Sequence, residues 1–243
     1  MPIANASFPI TRYSAIFATR SSDVPERTRA YETILFAYWK PSYKYIRLKW
    51  QASNEDAEDF TQGFFAKAFE KGYFEKYDPA AGSFHGFLRV CIDRFVANER
   101  KAQTRQKRSG DAFHLSLDFA AAEEEFRRYD QSSTLSVEEY FHQEWVRSLF
   151  TLSIEALREK CQTAGKQIHF QMFELCDLEA EGEKPSYESL AKQFEVKTTD
   201  VTNYLAFARR EFRKIVLAKL REITATEDEF RQEARTLLGV GLS

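Results

Sequence analysis

The residues with the most evident chemical potential lie in the stretch NEDAEDFTQGFFAKAF, residues 54–69, which holds four acidic residues and four phenylalanines. Carboxylates at this density could hold a divalent cation or contact a basic partner surface. Metal-binding carboxylates usually converge from several elements, whereas acids in the first turns of a helix are usually solvated and favoured by the helix dipole. With Asn54 as the predicted N-cap, the acids occupy those first turns. The stretch therefore predicts neither a metal site nor catalysis, and we do not expect an enzyme.

The cysteines and histidines show no spacing that is typical of a metal site. Cys91, Cys161 and Cys176 are far apart, odd in number and outside any CxxC motif. The four histidines are scattered along the chain, without an HxxxC or HExxH pattern. The cysteines indicate a reducing compartment. The two residue types together predict no zinc, no other metal and no cofactor.

Two basic stretches are the candidate nucleic-acid contacts. The net charge of the whole chain is only −2, so the distribution of charge matters more than its sum. Residues 84–110 hold seven basic and two acidic residues, and residues 197–221 hold the same numbers. Each stretch could neutralise several phosphates. The alternative for each is a solvated helix face, and the sequence leaves it open.

The composition favours helices as the elements that position these residues. Gly (9) and Pro (6) are scarce, whereas hydrophobic residues make up 43% of the 243 residues. We predict an all-α fold with a packed core. One helix begins near Thr28, Pro41 breaks or restarts it, and a later helix spans roughly residues 84–106.

An acidic segment divides the chain. Residues 111–144 hold nine acidic residues against only Arg127 and Arg128, with Ser-Ser-Thr in the middle. This composition indicates a linker between two domains.

The second half contains a candidate helix-turn-helix in SYESLAKQFEVKTTDVTNYLAFARREFRKIV, residues 186–216. The first helix would bury Tyr187, Leu190, Ala191 and Phe194. Residues 195–197 form the turn, although the usual glycine is missing, and Thr198 or Thr199 caps a longer second helix. That second helix would bury Val201, Leu205, Ala208 and Phe212.

Membrane insertion is not expected. No apolar run approaches the roughly 18 residues that a membrane helix needs. The first residues, MPIANASFPITRYSAIF, lack the basic start and long apolar stretch of a signal peptide. We therefore predict a cytoplasmic location.

Several motifs resemble those of bacterial RNA polymerase sigma factors. DAEDFTQGFF within the opening stretch resembles the region-two hallmark DAED-x-x-Q-x-x-F, and YDPAAGSFHGFLRV resembles the segment that follows it. The helix-turn-helix resembles region four. FPITRYS, YWKPSYKYIR and FVANERKAQTRQKRSG are similar to motifs of one subset of the extracytoplasmic-function (ECF) sigma factors.

The resemblance implies a domain organisation with two helical domains. Residues 1–27 are an N-terminal extension, 28–110 are region two, 111–136 are the acidic linker and 137–243 are region four. It implies a factor that binds core RNA polymerase and directs promoter-specific transcription initiation. An anti-sigma factor is kept open as a further partner, although the sequence gives no clear site for one. We hypothesise that the linker occupies the RNA exit path or screens the basic regions before core binds.

The resemblance also implies which residues contact core polymerase. The acidic helix docks on the basic clamp helices of the largest subunit. The implied contacts are Asp56, Glu58, Asp59, Gln62 and Phe65, with core burial as the alternative for Phe65. Gly63 stands where the family usually has an acid. It either marks the close approach of a partner or weakens one charge contact.

Promoter contacts follow in the same way. In region two the implied contacts to the minus-ten element are Tyr77, Asp78, Arg89, Arg94, Asn98, Arg100 and Lys101. In region four the second helix enters the major groove at the minus-thirty-five element, and the implied contacts are Lys197, Thr198, Thr199, Thr202, Asn203, Arg209, Arg210 and Arg213. The main alternative is a stand-alone helix-turn-helix regulator, which would need no acidic docking face and would usually need a dimer interface.

Overall fold

The computed structural model describes residues 14–103, 116–128, 134–178 and 184–239. Across those ranges the chain forms helices and no strand, so the predicted all-α class is confirmed. The motif residues 8–13, the basic residues Arg105, Lys107 and Arg108, and the linker residues 111–115 and 129–133 lie outside the described ranges. Within them, no helix is long and apolar enough to cross a membrane.

Ten α-helices lie in the described ranges. They are α1 (Ala15–Ala18), α2 (Val24–Trp50), α3 (Asn54–Glu70), α4 (Phe84–Gln103), α5 (Phe119–Arg127), α6 (Val137–Thr163), α7 (Gln167–Phe173), α8 (Tyr187–Gln193), α9 (Thr198–Glu222) and α10 (Glu227–Leu238). Two short 3₁₀ turns, Phe74–Lys76 and Pro79–Ala81, separate α3 from α4, and a π-helical turn, Glu174–Leu178, extends α7.

Helix α2 continues through Pro41, so the predicted break there is wrong. A proline inside a helix removes one hydrogen bond and costs about 3 kcal/mol. The residues on both sides, Tyr38, Trp39, Tyr43 and Tyr45, are buried. Their burial offsets the cost, because each large aromatic side chain contributes about 1.5–3 kcal/mol when it leaves water.

The N-cap of helix α3 lies one residue earlier than predicted, so the helix begins at Asn54 itself. The side chain of Ser53, not Asn54, is the N-cap, and its hydroxyl accepts a hydrogen bond from the Asp56 N–H at 3.0 Å. The side chain of Asn54 instead accepts a hydrogen bond from the Tyr43 hydroxyl. The predicted core face of α3 is confirmed, since Ala57, Phe60, Phe64 and Ala68 are all buried.

Gly63 marks a close approach within the protein itself. A Cβ at this position would lie 3.2 Å from the Phe95 ring of α4. Any larger residue at position 63 would therefore require the Phe95 ring to shift. The glycine allows α3 and α4 to pack closely.

The chain forms two compact units. The first contains residues up to Ser148 and residues from Leu220 onward, and the second contains Leu149–Lys219. These units differ from the predicted domains, which divide the chain at residues 28, 111 and 137. The resemblance assigns residues 137–148 and 220–239 to region four, but both ranges lie in the first unit. They contain the first part of α6, the end of α9 and all of α10.

The predicted acidic linker contains a packed helix. Phe119, Ala122 and Phe126 of α5 are buried, and the Phe119 ring centre lies 5.2 Å from that of Trp39 in α2. The acidic composition predicted a solvated segment, because composition gives the charged residues of a segment but not the residues that pair with them. Those partners are Lys40, Lys44 and Arg47 of α2, which lie about 80 positions earlier in the chain.

The second unit is built on two apolar clusters. Leu157, Cys161, Phe170, Phe173 and Ala208 form the first cluster, and Met172, Cys176, Leu190, Val201 and Leu205 form the second. The second cluster lies beneath α8 and the start of α9. It fixes the angle between those two helices through side-chain packing.

Candidate nucleic-acid interface

The segment predicted as a helix-turn-helix contains two helices, α8 and α9, joined by a short connection. Ser186 caps α8 by accepting the Ser189 N–H at 3.1 Å, and the Lys197 N–H donates to the Asp200 carboxylate at 3.1 Å where α9 begins. Residues 194–197 connect the two helices. One predicted inward residue is wrong, since Tyr187 is 40% exposed. It lies in the first turn of α8, ahead of the packed residue Leu190.

Glu195 takes the conformation that glycine usually supplies in such a turn, with φ of 53°. This left-handed region costs a residue with a Cβ about 1–2 kcal/mol. Glycine avoids this cost but loses more backbone entropy on folding, which offsets part of the gain. We therefore expect Glu195→Gly to raise the free energy of unfolding by about 0.5–1 kcal/mol. Urea denaturation measures the change. Glu195→Ala is the matched control, since it removes the same carboxylate and keeps the Cβ, and an equal gain from both variants would contradict the explanation.

The start of α9 presents a polar face. Thr198, Thr199, Thr202 and Asn203 are all exposed, and residues four apart along a helix lie on the same side. Threonine and asparagine are suited to base edges, since Asn bonds adenine in two places and the Thr methyl contacts that of thymine. The exposed Lys197 precedes the face. The structure therefore brings five of the eight predicted minus-thirty-five residues together.

The three arginines further along α9 differ from one another. Arg209 donates from two nitrogens to the Asp177 carboxylate, at 2.8 and 3.0 Å. This bidentate pair occupies the guanidinium group of Arg209, which was predicted to contact DNA, so Arg209 has a structural role in this state. Arg210 lies 3.5 Å from Glu211 and beside the Phe207 ring. Arg213 is exposed and makes no ion pair with any residue in the described ranges, so it is the arginine best placed for a phosphate.

Glu211 lies among three cations. Its carboxylate accepts hydrogen bonds from Lys160 at 2.8 Å and Lys214 at 2.9 Å, and only 8% of its side chain is exposed. The bonds from Lys160 and then Lys214 lower the pKa of Glu211 from 4.5 to about 2. A carboxyl with a lowered pKa in the folded state stabilises the protein above its unfolded pKa and loses that contribution as the pH falls.

We expect Glu211→Gln to lower the free energy of unfolding by about 1–2 kcal/mol at neutral pH, since both lysines are half-exposed and solvent screens them. The difference from wild type should shrink as the pH falls from 4.5 toward 2. Urea unfolding at neutral pH and at about pH 3.5 measures it. Glu155→Gln, at an exposed position of α6, is the control and should show neither effect.

The acidic helix α3 keeps only part of its predicted docking face. Asp56 and Asp59 are exposed and Glu58 is half-buried. Gln62 and Phe65 are only 6% and 5% exposed, so neither side chain is accessible to a partner in this structure, and Phe65 takes the alternative of core burial. Gln62 donates weakly to Glu58 at 3.4 Å, and Phe65 packs edge-on against Phe64 at 5.1 Å between ring centres.

The turn before α4 is packed inward. Tyr77 is 3% exposed, and its hydroxyl donates to the Gly82 carbonyl at 2.8 Å, so it is not an accessible stacking platform. Asp78 caps the 3₁₀ turn by accepting the Ala80 N–H at 3.0 Å. Arg20 donates to the carbonyls of Glu75 and Tyr77, which fixes the turn from the N-terminal side.

Helix α4 divides its predicted DNA contacts into two groups. Arg94, Asn98 and Lys101 are exposed at positions that share one side of the helix, and we call them the α4 stripe. Arg100 instead donates to the Trp50 carbonyl at 2.6 Å and lies over the Trp50 ring. Arg89 lies 5.9 Å from the Phe141 ring centre. Both packed arginines were predicted as DNA contacts, and only the stripe presents its side chains outward.

The acids of α5 pair with α2. Glu123 accepts two hydrogen bonds from Arg47, both at 2.9 Å, and Glu125 accepts from Lys40 at 2.9 Å and from Lys44 at 2.7 Å. Lys44 also donates to Glu144 of α6, and both side chains are 1% exposed. For these acids the hypothesis of screening is corrected, because they neutralise α2 and not the two basic stretches.

One group of side chains has no sequence signal. His85 of α4, His142 of α6 and Glu233 of α10 lie together in the first unit, with ligand atoms within 4.8 Å of one another. Burial lowers the pKa of His85 to about 4, so its imidazole is neutral near pH 7. Sequence reasoning missed the group because 57 and 91 positions separate its successive members, outside any local motif.

Comparisons of the chain with protein-family models, with curated proteins and with solved structures gave no match. The resemblance to sigma factors thus stays a prediction that depends on the residues quoted above.

Proposed function

We propose that the chain is an ECF-type sigma factor, which binds bacterial core RNA polymerase and directs promoter-specific transcription initiation in the cytoplasm. One observation carries the proposal. The acids of the DAED motif, Asp56 and Asp59, are exposed on α3, while Ala57 and Phe60 beside them are buried. An acidic face of this kind suits a basic protein surface such as the clamp helices of the largest subunit. A stand-alone regulator has no need of it.

Two further surfaces support promoter binding. The α4 stripe offers Arg94 and Lys101 to phosphates and Asn98 to a base edge. The exposed start of α9 offers hydroxyls and an amide to the major groove, with Lys197 and Arg213 for the backbone. Few charges lie on this part of α9, so the contact at the minus-thirty-five element should depend only weakly on salt.

Selection from a library of genomic DNA fragments tests the proposal. The fragments are incubated with the chain alone, with purified core polymerase alone, or with both. A sigma factor enriches a set of related fragments only when both are present. Enrichment of the same set by the chain alone would instead establish the stand-alone helix-turn-helix regulator.

The variant Arg94→Ala/Lys101→Ala tests the DNA contacts separately from the binding of core polymerase. It removes two cations from the exposed stripe and leaves the buried side of α4 unchanged. The proposal predicts normal association with core and reduced fragment enrichment. Unchanged enrichment would remove the α4 stripe from the promoter interface.

A further inference from the structure

The group formed by His85, His142 and Glu233 connects three helices of the first unit. The helices are α4, α6 and α10, which lie far apart in sequence. The Nε2 atom of His142 lies 3.2 Å from the Glu233 carboxylate, and the third ligand atom, from His85, lies within 4.8 Å of both. Two imidazoles and a carboxylate that converge from separate elements are typical of zinc sites.

The distances are close to those that a bound ion needs. Zinc binds imidazole nitrogen at about 2.0–2.1 Å and carboxylate oxygen at about 2.0–2.2 Å, so tetrahedral ligand atoms lie about 3.3 Å apart. The pair of His142 and Glu233 already has this separation. The other two separations are at most 4.8 Å, so they need to shorten by at most about 1.5 Å when an ion binds.

Aromatic side chains hold the two imidazoles in place. The ring centre of His85 lies 4.4 Å from that of Trp145, and the ring of His142 lies 5.5 Å from the same indole. The Nδ1 atom of His85 is buried and has no hydrogen-bond partner among the described residues. Buried polar atoms normally have a partner, so this nitrogen can accept one from outside the chain.

An open position adjoins the three side chains. They line a cavity of about 440 Å³, whose wall also includes Glu138, Asp228 and Gln232. A site with three protein ligands leaves the fourth position for water or another small ligand. The cavity is large enough for such a ligand, and its polar wall provides hydrogen-bond partners.

We propose that His85, His142 and Glu233 bind one divalent transition-metal ion of the zinc type. Imidazole ligands favour zinc, copper, iron and nickel over magnesium and calcium, which prefer oxygen ligands alone. The ion connects α10 to α4, the helix that carries the α4 stripe, and its binding stabilises the folded first unit. The proposal stands on these side chains alone and does not depend on the proposed function.

Titration of the full chain with Zn²⁺ tests the site. The purified protein is first stripped with EDTA, and binding is then followed by isothermal titration calorimetry and by metal analysis after desalting. We expect one bound ion per chain and a higher melting temperature with metal. Glu233→Gln and His142→Gln should each weaken binding by at least about tenfold and abolish the thermal shift. Glu227→Gln, which loses the same charge from the same helix but lies outside the residues that line the cavity, should bind as the wild type does.

Cysteine binding is the competing explanation for any zinc uptake, and the wild-type protein alone distinguishes the two. Co²⁺ bound by nitrogen and oxygen ligands in a tetrahedral site gives visible absorption without the near-ultraviolet band of thiolate ligation. We expect visible absorption without the thiolate band. A thiolate band, no stoichiometric uptake of Zn²⁺, or equal affinity in wild type and both ligand variants would overturn the proposal.

Discussion

Lys44→Met is expected to lower the free energy of unfolding by about 3–5 kcal/mol, the usual cost of breaking a buried ion pair. Lys44 and Glu144 are each 1% exposed, and Lys44 also bonds Glu125 at 2.7 Å. Without the ammonium group, the carboxylate of Glu144 remains buried, and Arg147 is its one remaining cationic partner among the described residues. Urea denaturation of the full chain measures the loss.

Two control variants isolate the cause of this loss. Lys40→Met removes a cation that bonds the same Glu125 from a more exposed position, so it should cost about 1 kcal/mol or less. The double variant Lys44→Met/Glu144→Leu removes both buried charges and should be more stable than Lys44→Met. A loss of less than 1 kcal/mol for Lys44→Met, or a double variant with additive losses, would contradict the account of α2, α5 and α6 as one charge-paired assembly.

The second large effect concerns the acids of α3. Asp56→Lys/Asp59→Lys is expected to weaken binding to core polymerase at least about 100-fold, or about 2.8 kcal/mol, because it places two cations against a basic surface. Asp56→Asn/Asp59→Asn removes the attraction without adding repulsion and should cost about tenfold. Fluorescence anisotropy with labelled protein and purified core measures both affinities.

Glu70→Lys is the matched control for these variants. Glu70 lies at the other end of α3, is exposed and pairs with its neighbour Lys71 at 2.6 Å. Its reversal should change core affinity less than threefold, or about 0.6 kcal/mol. Circular dichroism checks that the helix persists, since loss of acids near a helix start costs about 0.3–1 kcal/mol each. Equal losses from Glu70→Lys and from the Asp56/Asp59 reversals would contradict docking through the motif.

The residues at the centre of the buried face of α3 could be predicted from the sequence, but how far that face extends around the helix could not. Periodicity places Ala57, Phe60, Phe64 and Ala68 on one face, and any packed helix buries such a face. Whether Gln62 and Phe65 are also buried depends on how closely neighbouring helices approach. That approach depends on Gly63 and the Phe95 ring, a contact between residues 32 positions apart.

Local propensity failed where tertiary packing outweighed it. A proline in the interior of a helix usually ends or kinks it. Helix α2 nevertheless continues through Pro41, because the aromatic residues on both sides of it are buried. The acids of residues 119–127 have the composition of a solvated linker, but Arg47, Lys40 and Lys44 pair with them. Composition cannot show such pairings, because it contains no information on which distant segment lies opposite.

The helix-turn-helix was predictable for the opposite reason. Its packing is local, since Leu190, Val201 and Leu205 lie within 16 residues and meet in one cluster. Its turn still departs from the usual pattern, because Glu195 takes the left-handed conformation without a glycine. The histidine group was beyond sequence reasoning, since three distant helices supply its members.

Run-off transcription with purified bacterial core polymerase, from a library of genomic promoters, tests the central claim most directly. Reactions with and without the protein are compared, and Asp56→Lys/Asp59→Lys is included as the docking variant. The account predicts new transcription starts only with the wild-type protein, with shared upstream sequences at two positions, and their loss in the variant. An absence of new starts, together with failure of the protein to co-elute with core, would contradict it.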